Sequence, residues 1–393
     1  MKISVPGFLA SGISSGIKEK NKKDLGMLFS EQPATAVGAF TTNKIKAAPV
    51  LISKEKIKQK NSQAIIVNSG NANACTGDMG LKDASDLCKL TAEKLGVSEK
   101  LVMVSSTGII GVALPMDKIK TNIPHLVDSL SPMGLNDFAE AIMTTDTIPK
   151  IVMKKSMIDS KEVTFCGIAK GSGMIMPRMA TLLAFIITDV AINPELLDDV
   201  FIEAVNNSFN RITIDGETST NDMVIMMANG RAANTFFPKE SSDYQTFKSL
   251  LNDLFLDLSK LILKDAEGAT KTIYVRVEEA KSNEEANKIA FQIANSNLVK
   301  TAFFGEDPNW GRILSAIGTV DAEIIPGRID ISFDDVTVVK NSIRTGMEIQ
   351  AKQILMKKEF QVTINLHIGQ GTAEVGTTDL TTEYVKINAS YPS

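Results

Sequence analysis

Only two histidines, His125 and His367, occur among 393 residues. Neither stands in an HExxH pattern, and there is no CxxC pair, so no metal centre built from histidine or cysteine is expected. The three cysteines, Cys75, Cys88 and Cys166, are odd in number and widely spaced. They argue against a disulfide framework and fit a reducing cytoplasm. An excess of one charge is also missing: 42 Lys and Arg face 46 Asp and Glu, with a net charge of -4 and no basic stripe. Nucleic acid is therefore not an expected partner. No stretch of about 18 apolar residues occurs, so no membrane span is expected. The opening MKISVPGFLASGISSGIK carries one early lysine and an apolar run broken by Pro6 and Gly7, which does not read as a secretory signal. The glycine segment at 171 has Met176 where a dinucleotide fingerprint needs its third glycine, and no Gly-Lys-Ser/Thr follows, which weakens a nucleotide reading.

What the chain has is length and apolar content. At 44% hydrophobic residues it can build a sizeable core, and 393 residues suggest more than one substructure. Strand patterns fall at 34–42, 63–68, 100–104, 162–168, 272–278, 321–338 and 359–368. Helical spacing marks 82–95, 245–263 and 283–299. A further helix starts at Asn193, a capping residue, with Pro194 at its first position. Strands and helices in mixed order predict a layered α/β class. The domain boundary is placed near 278, giving a catalytic domain over residues 1–278 and a C-terminal α/β domain over 279–393.

Residues 170–189, KGSGMIMPRMATLLAFIITD, set one hydroxyl, Thr181, between a glycine turn and an apolar run. Threonine at a strand mouth is most often structural, because β-branching suits strands. As a nucleophile it needs a base, and neither histidine lies near it in sequence. Cutting the Ala180–Thr181 bond would supply one. The freed α-amine, with an unperturbed pKa near 8, would sit beside its own hydroxyl. Gly171 and Gly173 would let the preceding chain bend for self-cleavage.

This segment resembles the self-cleavage segment of the ornithine acetyltransferases, the glutamate N-acetyltransferases of arginine biosynthesis. The resemblance extends through VPGFLASGISSGIK, AFTTNKIKAAPV, NSGNANACTG, SSTGIIG, MTTDTIPK, DGETSTNDMV, DAEGATK, EDPNWGRI and DLTTEYVKINASYPS, over almost the whole chain. The INASYPS ending departs from the family's acidic INADY-type ending. The resemblance implies an N-terminal-nucleophile αββα sandwich with a smaller C-terminal α/β domain, cut into an α chain 1–180 and a β chain 181–393. It implies transfer of acetyl from N2-acetyl-L-ornithine to L-glutamate, with Thr181 as nucleophile and Thr107 and Gly108 as the oxyanion hole. Thr144 (or its neighbour Thr145), Lys170, Thr181, Glu267, Asn388 and Ser393 match the substrate-binding positions. No resident cofactor is implied; acetyl-CoA stands as a candidate co-substrate, and an α2β2 heterotetramer is the expected assembly.

The residue chemistry is compatible with these roles. A backbone N–H at Gly108 and the Thr107 hydroxyl can donate to a tetrahedral oxyanion. Lys170 can meet a carboxylate. Glu267, read as lying at the end of a long helix, sits where negative charge is disfavoured, which points to an ammonium partner. Leu380, Tyr384, Val385 and Ile387 read as apolar anchors of a docked tail that carries Asn388 and Ser393. NSGNANACTG reads as a structural loop and Trp310 as packing. Two other readings stand beside acyl transfer: an aminopeptidase of the same fold, in which water takes the acyl group, and a ligand-binding module that is never cut.

Overall fold

The computed structural model describes residues 3–19, 21–176 and 182–390. Ala180, Thr181 and Ser393 thus lie outside the described residues. Eight strands form the first sheet: β1 Phe8–Ile13, β2 Leu25–Phe40, β3 Asn61–Asn71, β4 Val102–Ile109, β5 Lys150–Ile158, β6 Lys161–Lys170, β7 Leu183–Thr188 and β8 Met223–Ala228. Their order is β4-β3-β2-β8-β7-β6-β5, with β1 also paired to β2. Among the described residues six helices accompany them: α1 Ala48–Lys56, α2 Gly77–Leu95, α3 Met116–Asp128, α4 Leu135–Ile142, α5 Pro194–Asn207 and α6 Ser242–Lys264.

The 16-residue β2 belongs to both halves of this sheet. Its first stretch pairs with β1 and β3, and its second with β8. The β2–β3 register shifts between Phe29 and Ala34, and Pro33, which has no N–H to donate, stands in that stretch. Strand alternation then sorts the side chains into layers. Leu28, Ile65, Val67, Ile168, Phe185 and Ile225 join one apolar cluster between the two halves. Met27, Ala64 and Ile66 turn the other way, onto α2 and α3. Ala184, Ile186, Val224 and Met226 turn onto α5 and α6. The result is the αββα layering, and each fully buried Leu, Ile or Phe adds about 1.5–3 kcal/mol to it.

The second sheet holds β9 Thr272–Ala280, β10 Asp330–Phe333, β11 Val336–Lys340, β12 Ile343–Arg344, β13 Glu359–Asn365 and β14 Gly371–Thr378, in the order β12-β11-β10-β13-β9-β14. α7 Asn283–Ala294, α8 Asn297–Phe304, α9 Trp310–Ile317 and α10 Glu348–Leu355 accompany it, and α11 Thr382–Ser390 follows. Among the described residues, the strand at the expected 278 boundary, β9, pairs within this second sheet, with β13 and β14. No helix among the described residues is long and apolar enough to cross a membrane.

Several elements differ from the sequence reading. The single helix expected over 283–299 is two, because Ser296 caps a new start by accepting from the Val299 N–H. Among the described residues the strand expected from 321 begins only at Asp330. β4 continues through SSTGI, so Thr107 and Gly108 stand at a strand end rather than beyond it. The α5 start is as expected, with Pro194 at its first position and the Asn193 side chain accepting from the Glu195 N–H.

Candidate active site

One cleft, about 120 Å³ in volume, gathers six residues expected in the site: Thr107, Gly108, Thr144, Lys170, Glu267 and Asn388. Leu182 and Leu183, which follow Thr181 in the chain, line it as well. It lies at the ends of β4, β6 and β7 and is closed by the turn after α6 and by α11.

Gly108 shows why one wall needs glycine. Its φ is +135°, and a Cβ there would lie 2.3 Å from the Gly70 carbonyl carbon and 2.5 Å from the Asn71 nitrogen. β3 and β4 run parallel with Gly70 opposite Gly108, and the register slips at Asn71. Such a slip is where a ladder can turn an N–H toward a ligand. The NSGNAN asparagines clamp this bulge. Asn68 Nδ2 donates to the Asn71 carbonyl at 2.8 Å, and Ser106 Oγ donates to Asn68 Oδ1 at 2.5 Å. From the far side, Asn221 Nδ2 donates to the carbonyls of Ala72 at 2.6 Å and Ser106 at 2.8 Å. The structural reading of this loop fits those contacts.

Lys170, at the end of β6, donates from Nζ to Thr107 Oγ1 at 3.3 Å. A candidate anion-binding cation and a candidate oxyanion donor therefore touch. Behind them is a buried knot that the sequence reading missed. Lys150 Nζ donates to Asp146 Oδ1 at 2.6 Å and to Asp265 Oδ2 at 2.5 Å. Asp146 also accepts the N–H of Thr144 at 3.0 Å and of Gly171 at 2.8 Å, so it holds the backbone of two cleft segments. Burial alone would raise its pKa, but Lys170 and Lys150 hold the carboxyl down at about 2. The DTIPK spacing of Asp146 and Lys150 was a visible hint; Asp265 was not, being 115 residues from Lys150.

Glu267 does not end a helix. α6 stops at Lys264, and Glu267 lies in the following turn, where its N–H donates to the Ser172 carbonyl at 2.8 Å. Its Oε2 accepts from Asn388 Nδ2 at 2.8 Å. The Glu267 carboxylate packs on Gly173, where a Cβ would lie 2.4 Å from Oε2. Gly173 is therefore required for space beside Glu267, in addition to any freedom it lends the chain.

The tail docks differently from the expectation. Val385 is 60% exposed, and no α11 residue is buried. Polar contacts hold the helix instead: Thr381 Oγ1 donates to the Gly268 carbonyl at 2.7 Å and accepts from the Tyr384 N–H at 3.2 Å. Tyr384 donates from its hydroxyl to Asp215 Oδ2 at 3.1 Å. The same Asp215 accepts the N–H groups of Met174 at 2.6 Å and Ile175 at 2.9 Å. One carboxylate thus ties the segment before the expected cut to the C-terminal helix. Apolar spacing in α11 pointed to burial, but at a chain end cap and side-chain bonds do the anchoring.

The fold and cleft together define a layered α/β protein with a small polar site where the expected residues meet. It presents an ammonium, a carboxylate and a glycine-bulge strand end within an amino-acid-sized space. The chain belongs to the ArgJ family, whose profile matches residues 9–393. It is 49% identical over 391 residues to the arginine biosynthesis bifunctional protein ArgJ of Geobacter sulfurreducens, covering 99% of this chain and 100% of that protein. It is 47% identical over 394 residues to the arginine biosynthesis bifunctional protein ArgJ 1 of Clostridium acetobutylicum, covering 99% and 97% respectively. The crystal structure of the ornithine acetyltransferase of Mycobacterium tuberculosis in complex with ornithine is 36% identical, covers 45% of this chain and 94% of that one, and superposes with a TM-score of 0.40.

Proposed function

We propose that this chain transfers acetyl from N2-acetyl-L-ornithine to L-glutamate through an ester on Thr181, after cutting itself between Ala180 and Thr181. The acyltransferase activity accords with the family. The observation that carries the site reading is the convergence of Thr107, Gly108, Thr144, Lys170, Glu267 and Asn388 on one cleft beside Leu182. In the self-cleavage step Thr181 Oγ adds to the Ala180 carbonyl, the acyl group moves from nitrogen to oxygen, and water opens the ester. The products are an Ala180 carboxylate and a free Thr181 α-amine.

In turnover, Thr181 Oγ bonds to the acetyl carbon while its proton passes to the α-amine. The oxyanion is held by the Gly108 N–H and the Thr107 hydroxyl, a donor of this kind contributing about 3–4 kcal/mol. As the intermediate collapses, the same proton goes to the departing ornithine nitrogen and leaves acetyl-Thr181. The glutamate amine then attacks that ester by the reverse path. Lys170 and Asn388 meet the α-carboxylate that both substrates share, and Glu267 faces the ornithine side-chain ammonium. Thr144 is favoured over Thr145 as a substrate contact, because the Thr145 hydroxyl is already 2.7 Å from Ser172 Oγ. Ser393 is assigned to the same site by the family resemblance.

The relatives' description as bifunctional supports a second donor, acetyl-CoA, for direct acetylation of glutamate. An α2β2 assembly and a cytoplasmic setting complete the reading; Cys75, Cys88 and Cys166 are all unpaired, as a reducing compartment allows. The test is intact mass spectrometry of the purified protein, before and after acetylornithine without glutamate. A β chain beginning at Thr181 that gains one acetyl group is the expected result. Thr181→Ala should remain one inactive chain. Cutting elsewhere, or acetyl reaching glutamate without ever residing on the β chain, would refute the reading.

A further inference from the structure

Residues 219–222 line the cleft immediately before β8. From there the Asn221 side chain, only 4% exposed, crosses to the wall that carries Thr107 and Gly108. Its Nδ2 donates to the Ala72 carbonyl at 2.6 Å and to the Ser106 carbonyl at 2.8 Å, so both amide hydrogens are engaged. Its Oδ1 accepts the Thr220 hydroxyl at 2.7 Å. A flipped amide would set its oxygen against two carbonyls, so these contacts fix the orientation.

The mount of this amide is firm. The Asn221 N–H donates to Ser219 Oγ at 3.2 Å. On either side, the Thr220 carbonyl accepts from the Ala47 N–H at 3.0 Å and the Asp222 carbonyl from the Thr41 N–H at 3.0 Å. What the amide holds is the bulge. A peptide group is planar, so the Ser106 carbonyl and the Thr107 N–H turn together. Ala72 lies one residue beyond the slip at Asn71, and its N–H donates to the Ile109 carbonyl at 2.9 Å. The two acceptors therefore bracket Thr107 and Gly108. One carbonyl precedes them on β4, and the other belongs to a residue bonded to Ile109, which follows them.

Building on the reading of Thr107 and Gly108 as the oxyanion wall, we propose that Asn221 is a positioning residue for acetyl transfer, whose amide spans Ser106 and Ala72 and sets where that wall meets the developing oxyanion. It exchanges no proton with substrate and acts through the two carbonyls. Such a brace bears on kcat more than on binding, because a donor displaced by about 1 Å loses most where charge develops. Residue 221 follows the expected cut, while residues 72 and 106 precede it. The wall carried by one fragment is thus set from the other.

The test uses Asn221→Asp in the full-length, self-cleaved enzyme. The substitution keeps the shape and the acceptor for Thr220 but removes both N–H donors. With kcat counted per cleaved chain, kcat should fall about 10- to 100-fold while KM for acetylornithine stays within about threefold. A thermal melt confirms folding. If Asn221→Asp does not fold, Asn221→Ala, which leaves the two carbonyls unpaired without adding charge, is read in the same way. A folded, cleaved variant with wild-type kcat, or one whose loss lies in KM, overturns the proposal. Asn221 is given no part in self-cleavage, so a folded chain that stays uncut overturns it as well.

A double-mutant cycle with Gly108→Ala tests the route. If Asn221 acts through the bulge, the double variant should lose far less than the product of the two single losses, because a wall already displaced has little left to lose. Losses that multiply would place the effect of Asn221 elsewhere and overturn the proposal. If Gly108→Ala alone keeps wild-type kcat, the oxyanion reading and this proposal fall together. If Gly108→Ala lowers kcat while Asn221→Asp does not, only the Asn221 role falls.

Discussion

Replacing Gly108 with alanine perturbs one wall of the cleft by a single methyl group. That Cβ would start 2.3 Å from the Gly70 carbonyl carbon, where ordinary contact begins at 3.4 Å. β3 and β4 must therefore separate by about 1 Å at the bulge, since the obstacle is backbone and cannot rotate away. The φ of +135° adds strain for any residue with a side chain, about 1–3 kcal/mol. A displacement of that size moves an oxyanion donor out of hydrogen-bond range. The loss of one such donor costs about 10²–10³ in kcat. Substrate recognition by Lys170 and Glu267 is built on other segments, so KM should change little. The assay is steady-state acetyl transfer to glutamate on protein whose cleavage has first been quantified by denaturing electrophoresis, with a thermal melt to confirm folding. A cleaved, folded Gly108→Ala enzyme within about threefold of wild-type kcat, or one whose loss lies wholly in KM, would refute the assignment of this bulge to the transition state.

Other substitutions test the remaining walls. Gly173→Ala places a Cβ 2.4 Å from Glu267 Oε2, so it should raise KM for acetylornithine by about 10-fold or more, as expected for a disturbed hydrogen bond to a charged group; an unchanged KM would remove Glu267 from recognition. Asp146→Asn breaks into a buried charge cluster and should cost about 3–5 kcal/mol in denaturant unfolding. Because the Asp146 carboxyl is held down at about 2, its stabilising contribution is complete above about pH 4 and fades as pH falls toward 2. Wild type should lose stability across that window more steeply than Asp146→Asn, and equal slopes would show that the carboxyl is not depressed. Ending the chain after Ile387 removes the 2.8 Å Asn388–Glu267 contact; self-cleavage should persist while KM rises for both acetylornithine and glutamate, and unchanged KM values would make the tail structural only.

How far the sequence could be read depended on the range over which each contact acts. β7 was legible because Leu182 to Ile187 form an unbroken apolar run, and α5 because Asn193 and Pro194 write its start locally. β8 was not, since MVIMMA is short and suits either a buried strand or a helix. β1 escaped notice because FLASGI carries small residues whose pairing comes from β2 rather than from its own pattern. Thr107, Gly108, Lys170 and Glu267 were singled out by resemblance, not by any local signature. The geometry adds why they meet. Lys150, Asp146 and Asp265 form a buried centre that no sequence window contains, and it holds Thr144 and Gly171 in place. Asn221 likewise looked like one more polar residue in DGETSTNDMV until the fold set its amide against the Ala72 and Ser106 carbonyls.

The strand order also explains how a chain could be cut at its own active site without coming apart. β7 and β8 follow the expected cut, yet they lie between β2 and β6, which precede it. β8 pairs with β2 from Met223 to Ala228, and β7 pairs with β6 from Leu183 to Thr188. Neither fragment owns the whole of the first sheet, so each would expose a bare edge and half of the central apolar layer if they separated. Asp215 adds a polar tie by holding Met174 and Ile175 to the far side of the cut. Breaking one peptide bond between β6 and β7 therefore costs almost none of the packing. What it supplies is a single new amine, on the residue that precedes Leu182 in the wall of the cleft.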